Sequence, residues 1–244
     1  MTETLALPTI GGPTSPPDIE EFIYLLGHDL GASVRALKVL PQWIADDLEE
    51  AGVAVPDPVT QSIEMMNRHS NRLDRMLKDL LVHARIGRMQ DIARIHVETA
   101  LDMALAGLHL PAGMALTRDI GCGFVWMGRQ DSIEIWRALI GNAIKHHHSQ
   151  TGTIEVATRG EGEMIRFTIR DDGPGISEHL REKALGAMTT LRSRDLLEGS
   201  GMGLANIRKI AVQYGGYVTL SDAAEGYSGL RVDLVIPKGW KGPV

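Results

Sequence analysis

A heptad of apolar residues between positions 59 and 84 constrains the fold of this chain more than any other feature. The spacing alternates between four and three residues throughout, and Ser70 fills the one polar gap. The apolar members are Val59, Ile63, Met66, Leu73, Leu77, Leu80 and Ala84. A repeat of this kind forms one continuous seam along a helix, as in coiled coils and helical bundles. The sequence therefore predicts a long helix from about Pro58 to Ile86 whose apolar side must be covered by other helices.

A second amphipathic segment precedes this helix. Its apolar residues recur every three or four positions and are Ile19, Phe22, Leu26, Leu30, Val34, Leu37 and Leu40. They predict one buried stripe on a helix that begins after the N-cap residue Asp18 and ends near Glu50. Pro41 removes a backbone hydrogen bond inside this helix, so we expect a kink there. Gly52 and the prolines after it predict a short turn to the next helix.

Two long helices joined by a short turn form an antiparallel hairpin, and such a hairpin cannot cover its own apolar stripes. Pairing two copies of the chain into a four-helix bundle would cover them, and we therefore predict a homodimer. The alternative is a hairpin that docks on a second domain of its own chain. The strict heptad spacing favours the bundle.

Size and composition allow one large domain or two small ones within the 244 residues. The net charge of −6 gives no general attraction to nucleic acid or to anionic membranes. Cys122 is the only cysteine, which excludes an intrachain disulfide and favours a reducing compartment, so we expect a cytoplasmic protein. No uncharged apolar run reaches the length of a membrane span. Residues 1–17 lack the pattern of a signal peptide, and their composition predicts a disordered leader.

Beyond a predicted hinge at 87–95, the pattern changes to mixed helices and strands. Helices are predicted at 96–108, 131–147 and 201–214. Asp131 or Ser132 is the expected cap of the second of these. Strands are predicted at 115–119, 124–127, 153–159, 164–170, 217–221 and 230–236. Residues 177–198 are charged and aperiodic and predict a long functional loop with a partial helix, so the whole segment reads as a two-layer α/β sandwich.

The first helix carries a histidine within the segment GHDL. At about 100° per residue, His28 lies about 200° round the helix from Leu26, away from the apolar stripe and toward solvent. Asp29 follows it, and a carboxylate beside an exposed imidazole can help that imidazole to accept a phosphoryl group. Gly27 and Gly31 weaken the helix, and we expect them to clear space on both sides of the imidazole.

Three segments of the sandwich carry residues suited to a phosphorylated ligand. In LIGNAIKHHH, Asn142 offers a neutral oxygen to a hard cation such as Mg²⁺, and Lys145 offers a point charge to phosphate. In DDGPGI, Asp171 ends a strand, and Gly173 and Gly175 let the backbone approach a flat ligand. The segment GSGMGL is a glycine-rich turn that runs into a helix N-terminus, which favours phosphate.

The order GHDL, LIGNAIKH, DDGPGI and GSGMGL resembles the transmitter module of two-component sensor histidine kinases, from about Asp18 to Pro237. The resemblance implies a long antiparallel helical hairpin, a four-helix bundle on dimerisation. It also implies a two-layer α/β sandwich of the ATP-binding type that gyrase, Hsp90 and histidine kinases share. The corresponding domains are a leader at 1–17, a phospho-acceptor hairpin at 18–88 and a catalytic domain at 89–240.

The resemblance also implies roles for single residues. His28 would be phosphorylated with Asp29 as its general base, Asn142 would hold Mg²⁺, and Asp171 would accept the adenine amino group. The further residues expected to contact ATP are Lys145, His146, Gly173, Gly175, Ile176, Gly201, Met202, Gly203 and Leu204. Residues 176–200 would form a lid over the nucleotide. The implied partners are a response regulator and a second copy of the chain. Residues 1–17 are too short to form a sensor, so the signal is expected from a separate sensor protein or from a part outside this chain.

The sequence departs from the family pattern at several positions. Ser33 stands where a proline is usual, Ala138 replaces an asparagine, and Ala187 and Met188 stand where the lid usually has a phenylalanine motif. Arg231 stands where a small hydroxyl residue near adenine is expected. One alternative is therefore a histidine phosphotransfer adaptor with a decayed nucleotide domain. A stand-alone ATPase is disfavoured because Ala138 occupies the place of the glutamate that activates water in gyrase and Hsp90. The sequence leaves open which protomer's histidine each ATP site serves.

Overall fold

A computed structural model describes residues 19–88, 90–191, 200–224 and 227–239. The chain forms a helical hairpin followed by an α/β sandwich. The hairpin consists of α1 (Ile19–Glu50) and α2 (Asp57–Arg85), joined by a turn in which Gly52 adopts a φ of 63°. The predicted leader and the cap residue Asp18 lie outside the described residues. No helix of the described part is both long enough and apolar enough to cross a membrane.

The two hairpin helices pack along a line of small and polar contacts. Val34 of α1 is buried, and the Nζ atom of Lys38 lies 2.8 Å from Oδ2 of Asp74. The hydroxyl of Ser70 donates to the backbone oxygen of Leu37 over 3.0 Å. These contacts join residues more than 30 positions apart in the sequence and fix the register of α1 against α2 at the level of Leu37 and Lys38.

As expected for a lone hairpin, the α1 stripe is only partly covered within one protomer. Val34 of the stripe is buried against α2, whereas Leu30 and Leu37 are 46% and 47% exposed. The heptad of α2 is likewise open, with Leu73 44% exposed. We call the resulting set of half-exposed side chains the apolar face of the hairpin. Its members are Leu30, Leu37, Ile44, Val59, Met66 and Leu73.

The sandwich follows the hairpin after a short connection. Its helices are α3 (Val97–Leu105), α4 (Arg129–His146), α5 (Glu178–Ala184) and α6 (Gly203–Gln213). Its strands are β1 (Ile92–His96), β2 (Gly113–Ile120), β3 (Phe124–Gly128), β4 (Thr151–Glu161), β5 (Met164–Asp171), β6 (Tyr217–Ala224) and β7 (Tyr227–Pro237). The main sheet has the order β2-β4-β5-β7-β6, and only the β2–β4 pair is parallel. β1 and β3 form a separate antiparallel pair.

One apolar core lies between the main sheet and the helices α3, α4 and α6. Trp136 of α4 is fully buried, and its ring meets that of Phe167 on β5 edge to face at 5.5 Å between centroids. Ile140, Ile207 and Tyr214 continue this layer with no exposed surface. The core confirms the predicted two-layer architecture and holds α4 and α6 side by side above the sheet.

Several predicted boundaries need correction. β1 occupies half of the predicted hinge, because it pairs with β3, a contact that the local sequence does not reveal. α4 begins at Arg129 after the N-cap residue Gly128, so neither Asp131 nor Ser132 is its cap. Both are buried instead. The partial helix predicted in the loop at 177–198 is present as α5, and residues 192–198 of this loop lie outside the described part of the chain.

Candidate functional site

A cavity of about 790 Å³ lies between α4, the ends of β5 and β7, the start of α6 and one side of α2. The three glycine- or asparagine-containing segments meet here although they are far apart in the sequence. The predicted ligand residues that line the cavity are Asn142, Lys145, His146, Asp171, Gly175, Ile176, Gly201, Met202, Gly203 and Leu204. Gly173 is buried beside Asp171 and lies outside the wall that the described residues form.

The carboxylate of Asp171 is held at the end of β5 by two backbone donors. The N–H groups of Gly173 and Leu230 donate to its Oδ1 over 2.9 and 3.3 Å. Burial raises the pKa of Asp171, and the two backbone hydrogen bonds oppose that rise. The side chain is therefore fixed in orientation and still reaches the cavity, where it can accept a hydrogen bond from an amino group.

Backbone segments approach each other closely around Asp171. Gly175 has a φ of 68°, and a Cβ atom there would lie 2.8 Å from the backbone oxygen of Gly229. Gly229 has a φ of 124° and itself lies against the backbone of Asp171. Both positions exclude a side chain by conformation and by space. The two glycines therefore allow these backbone segments to pack together beside Asp171.

The opposite part of the cavity is polar and lies at the N-terminus of α6. A Cβ atom on Gly203 would be 3.7 Å from Oδ1 of Asn142, so the amide of α4 adjoins the first turn of α6. Lys145 lines the same cavity one turn further along α4. Free N–H groups, an amide oxygen and an ammonium group together suit phosphate and a hard cation. The donor set fits the magnesium nucleotide that the sequence predicts.

Thr189 of the predicted lid lies beside the C-terminal end of that lid, next to this polar part. Gly201 has a φ of 73°, and a Cβ atom there would overlap the backbone of Thr189. The hydroxyl of Ser200 accepts a hydrogen bond from the Met202 N–H and donates to the carboxylate of Asp79 on α2. Thr189 and Ser200 both line the cavity. The described parts of the lid are therefore anchored next to the hairpin.

One wall of the cavity carries no motif in the sequence and is supplied by α2 of the hairpin. Its residues are Arg75, Lys78, Asp79 and Val82. Their spacing of three, four and seven residues from the first places them on one side of a helix. Only the docking of the sandwich on the hairpin reveals that this side faces a cavity. Glu134, Arg137 and Asn206 also line it and carried no motif.

A buried polar contact joins the hairpin to the sandwich beside the cavity. Asn206 of α6 donates its Nδ2–H to Oε1 of Glu134 over 3.0 Å. Its Oδ1 lies 2.9 Å from Nδ1 of His83 on α2, so this nitrogen carries the proton, because an amide oxygen can only accept. Lys209 donates to the backbone oxygen of His83 over 2.6 Å. Burial raises the pKa of Glu134, and the hydrogen bond from Asn206 opposes the rise.

The predicted phospho-acceptor lies on α1, nine residues after the first residue of the helix and toward the end of the hairpin that is remote from its turn. The helix includes His28, whose side chain is not among the described parts, and Asp29 is exposed. Gly27 does not clear space for the imidazole as we expected. It is buried, and a Cβ atom there would lie 2.7 Å from Leu81 and 3.3 Å from Leu77 of α2. This glycine therefore allows α1 and α2 to approach closely.

The expectation for Arg231 changes with the geometry. The guanidinium of Arg231 pairs with Asp233 over 2.9 Å, and Arg231 lies outside the described cavity wall. Its neighbours Leu230 and Val232 line the cavity, because alternate residues of a strand face opposite sides. Nε2 of His147 lies 3.0 Å from Oδ1 of Asp172. Among the described residues, no group of three His, Cys, Asp or Glu side chains could hold a metal ion.

Comparison with known proteins agrees with this geometry. Residues 129–239 match the family described as histidine kinase-, DNA gyrase B- and HSP90-like ATPases. The chain is 28% identical over 216 residues to the methanogenesis regulatory histidine kinase FilI of Methanothrix harundinacea, covering 86% of this chain and 24% of the relative. It is 28% identical over 251 residues to the sensor protein kinase CarS of Pseudomonas aeruginosa, covering 91% and 52%. The chain thus spans between a quarter and about half of the length of these relatives.

Two solved structures have the same fold. The full-length structure of ShkA in complex with AMPPNP superposes with a TM-score of 0.66 at 16% identity, covering 92% of this chain and 47% of that one. The complex of the histidine kinase ThkA with the response regulator protein TrrA gives 0.57 at 16% identity, covering 88% and 61%. With its helical hairpin and its α/β sandwich, the chain is similar in architecture to the transmitter modules of sensor histidine kinases, and residues 129–239 match the ATPase family to which such kinases contribute.

Proposed function

We propose that the protein is an ATP-dependent protein-histidine kinase that phosphorylates His28 and passes the phosphoryl group to an aspartate of a response regulator. One observation carries the proposal. Asn142, Asp171 and the N-terminus of α6 converge on a cavity whose remaining wall is the hairpin that bears His28. In this proposal residues 18–88 form the phospho-acceptor hairpin and residues 89–240 the catalytic domain.

The two ends of the cavity would bind the two ends of ATP. The carboxylate of Asp171 would accept a hydrogen bond from the adenine amino group, and Gly175 would lie against the ring. Asn142 would contribute an oxygen to Mg²⁺, which keeps its other ligands from water and phosphates. Lys145 and the first N–H groups of α6 would neutralise phosphate charge.

The reaction moves one phosphoryl group and one proton. A nitrogen of the His28 imidazole forms a bond to the γ-phosphorus, while the bond between that phosphorus and the bridging oxygen of ADP breaks. Asp29 takes up or polarises the proton on the other ring nitrogen. Because the protein supplies little covalent chemistry here, rate acceleration comes from positioning and charge neutralisation.

The partners in this proposal are a second copy of the chain, a response regulator and a separate sensor protein. The apolar face of the hairpin supports the homodimer, because it leaves large side chains half exposed in one protomer. The solved complex of ThkA with TrrA supports a response regulator as the acceptor. The cysteine content and the sequence pattern support a cytoplasmic location.

Labelling with γ-³²P-ATP and Mg²⁺ tests the proposal. We expect one labelled site with an acid-labile, base-stable bond, as for a phosphoramidate. His28→Gln should abolish the label. His69→Gln is the matched control, since His69 is an exposed histidine on the other helix of the hairpin and should leave labelling intact. Label that persists in His28→Gln would overturn the assignment.

A nucleotide-binding assay separates this kinase from a phosphotransfer adaptor with a decayed nucleotide domain. The adaptor would accept phosphate on His28 from a regulator and would bind no ATP. The kinase should bind ATP with an affinity that falls in Asp171→Asn. The convergence of both glycine segments on one cavity favours the kinase.

A further inference from the structure

The cavity and position 28 lie at the same height along the hairpin. Gly27 of α1 packs against Leu77 and Leu81 of α2. Further along the hairpin, Lys38 pairs with Asp74. The residues of α2 that line the cavity begin at Arg75 and end at Val82, so they bracket the level of Gly27. A nucleotide in the cavity therefore lies level with position 28 of the same chain.

The cavity also lies opposite the apolar face of α2. Leu73 belongs to the apolar face, and Val82 belongs to the cavity wall. These residues are nine positions apart, which at about 100° per residue puts them about 180° apart round the helix. The side of α2 that meets α1 contains Leu77 and Leu81 and lies between them.

Position 28 likewise lies opposite the part of the apolar face that α1 contributes. It is nine residues from Leu37, so the two positions are about 180° apart round the helix. The side of α1 that meets α2 contains Gly27 and Val34 and lies between them. On each helix the apolar side is reached from the contact side by rotating in the same sense. Because the two helices are antiparallel and face each other, that rotation leads to the same side of the hairpin, so the two apolar sides coincide there. Position 28 and the cavity therefore share the opposite side.

We infer that each protomer phosphorylates its own His28, so that phosphoryl transfer occurs in cis. The inference rests on the kinase function and on pairing through the apolar face. In such a dimer the partner's apolar face covers one side of the hairpin, and the cavity opens on the other. The partner's histidine is then on the far side of the bundle. The γ-phosphoryl group leaves ADP and bonds to an imidazole nitrogen of the chain that binds the nucleotide, and Asp29 of that chain takes up the proton.

The direction of transfer is tested with heterodimers in which one chain lacks the phospho-acceptor histidine and the other lacks a working nucleotide site. One chain carries His28→Gln with an intact nucleotide site. The other keeps His28 and carries Asn142→Ala and Asp171→Asn together, with a tag that changes its size on a gel. Sequential purification on two different tags isolates the heterodimer before γ-³²P-ATP is added. We expect less than about a twentieth of the wild-type label on the tagged chain. Label approaching half of the wild-type amount would overturn the inference.

Two controls distinguish failure of this inference from failure of the proposed function. A heterodimer of the wild type with a chain that carries all three substitutions should be labelled on the wild-type chain alone. An unlabelled wild-type homodimer would contradict the kinase function itself, whatever the direction of transfer, whereas an unlabelled heterodimer beside a labelled homodimer would contradict transfer in cis. In addition, the initial rate of labelling per wild-type chain should stay constant over a hundredfold dilution. A rate that falls in proportion to the dimer fraction would contradict transfer in cis.

Discussion

At the scale of single residues, the hydroxyl of Tyr214 ties three parts of the molecule together. It donates to Oδ2 of Asp131 over 2.7 Å and accepts the N–H of Gly128 over 2.9 Å. The N–H of Gly87, at the junction of hairpin and sandwich, donates to the same carboxylate oxygen. Burial raises the pKa of Tyr214, which keeps the hydroxyl protonated as a donor.

Tyr214→Phe should therefore lower the free energy of unfolding by about 1–3 kcal/mol, because a buried N–H and a buried carboxylate each lose a partner. Urea denaturation followed by circular dichroism measures the change. Tyr217→Phe is the control on an exposed edge strand, and it should stay within about 0.5 kcal/mol of the wild type. Equal effects of the two substitutions would contradict the role of the buried hydroxyl.

We expect the ionised carboxylate of Asp171 to lower the free energy of unfolding, although it serves the binding of ATP. Its pKa is raised in the folded protein, so the folded state holds the proton more tightly than the unfolded state. The contribution of Asp171 to the free energy of unfolding is therefore greatest at low pH. It falls as the pH rises from the ordinary carboxyl pKa of 3.8 through the raised pKa of the folded state.

Asp171→Asn should consequently keep or raise the melting temperature of the nucleotide-free protein at pH 7, because the amide oxygen can still accept from Gly173 and Leu230. Any advantage over the wild type should shrink as the pH falls toward 4. ATP affinity should fall at least about tenfold, or 1.4 kcal/mol. Thermal unfolding at several pH values and calorimetric titration measure the two effects. A destabilised variant with wild-type affinity would refute both parts.

At the scale of elements, the contact between α2 and α6 decides how the sandwich sits on the hairpin. Asn206→Ala removes one hydrogen bond to Glu134 and one to His83 and leaves the Glu134 carboxylate buried. We expect faster tryptic cleavage after Arg85 or Arg88 in the connection, and a loss of about 1–3 kcal/mol in stability. Val212→Ala is the control, because this residue of α6 is 72% exposed. Unchanged cleavage in Asn206→Ala would contradict this role.

The sequence predicted elements whose signal is local. The heptad located α2 to within one residue at each end, and the alternating segments located β4 and β5. β1 was missed because its partner β3 lies about thirty residues away, and pairing rather than its own pattern makes it a strand. Arg231 was expected near the ligand because a motif position does not tell which side of β7 the residue faces.

The candidate site was predictable only in part for the same reason. Glycine and asparagine segments carry their chemistry in the sequence, and the cavity joins them. The wall from Arg75 to Val82 consists of ordinary helix residues, so its role depends on how the hairpin and the sandwich dock. Likewise, Gly27 beside a histidine suggested space for the imidazole, whereas the close approach of Leu81 is a tertiary contact.

At the scale of the whole molecule, the apolar face predicts a homodimer. Leu37 and Leu73 are 47% and 44% exposed in one protomer, so a charge there is tolerated by the single hairpin and becomes buried only on pairing. Leu37→Asp with Leu73→Asp should give a folded monomer, because an unpaired buried charge costs several kcal/mol. Light scattering at micromolar concentration measures the mass. Met103→Asp, at an exposed site of the sandwich, should remain dimeric. A monomeric wild type would contradict the prediction.

The monomeric variant also separates pairing from catalysis. If transfer occurs in cis, the cavity and His28 that it needs belong to one chain, and the substituted residues lie on the opposite side of the hairpin from both. The variant should therefore keep its ATP affinity, and its initial labelling rate per chain should stay within about threefold of the wild type, which corresponds to less than 1 kcal/mol of barrier. Labelling by γ-³²P-ATP at equal chain concentration measures this rate. A folded monomer that binds ATP normally and takes up no label would mean that pairing itself completes the site.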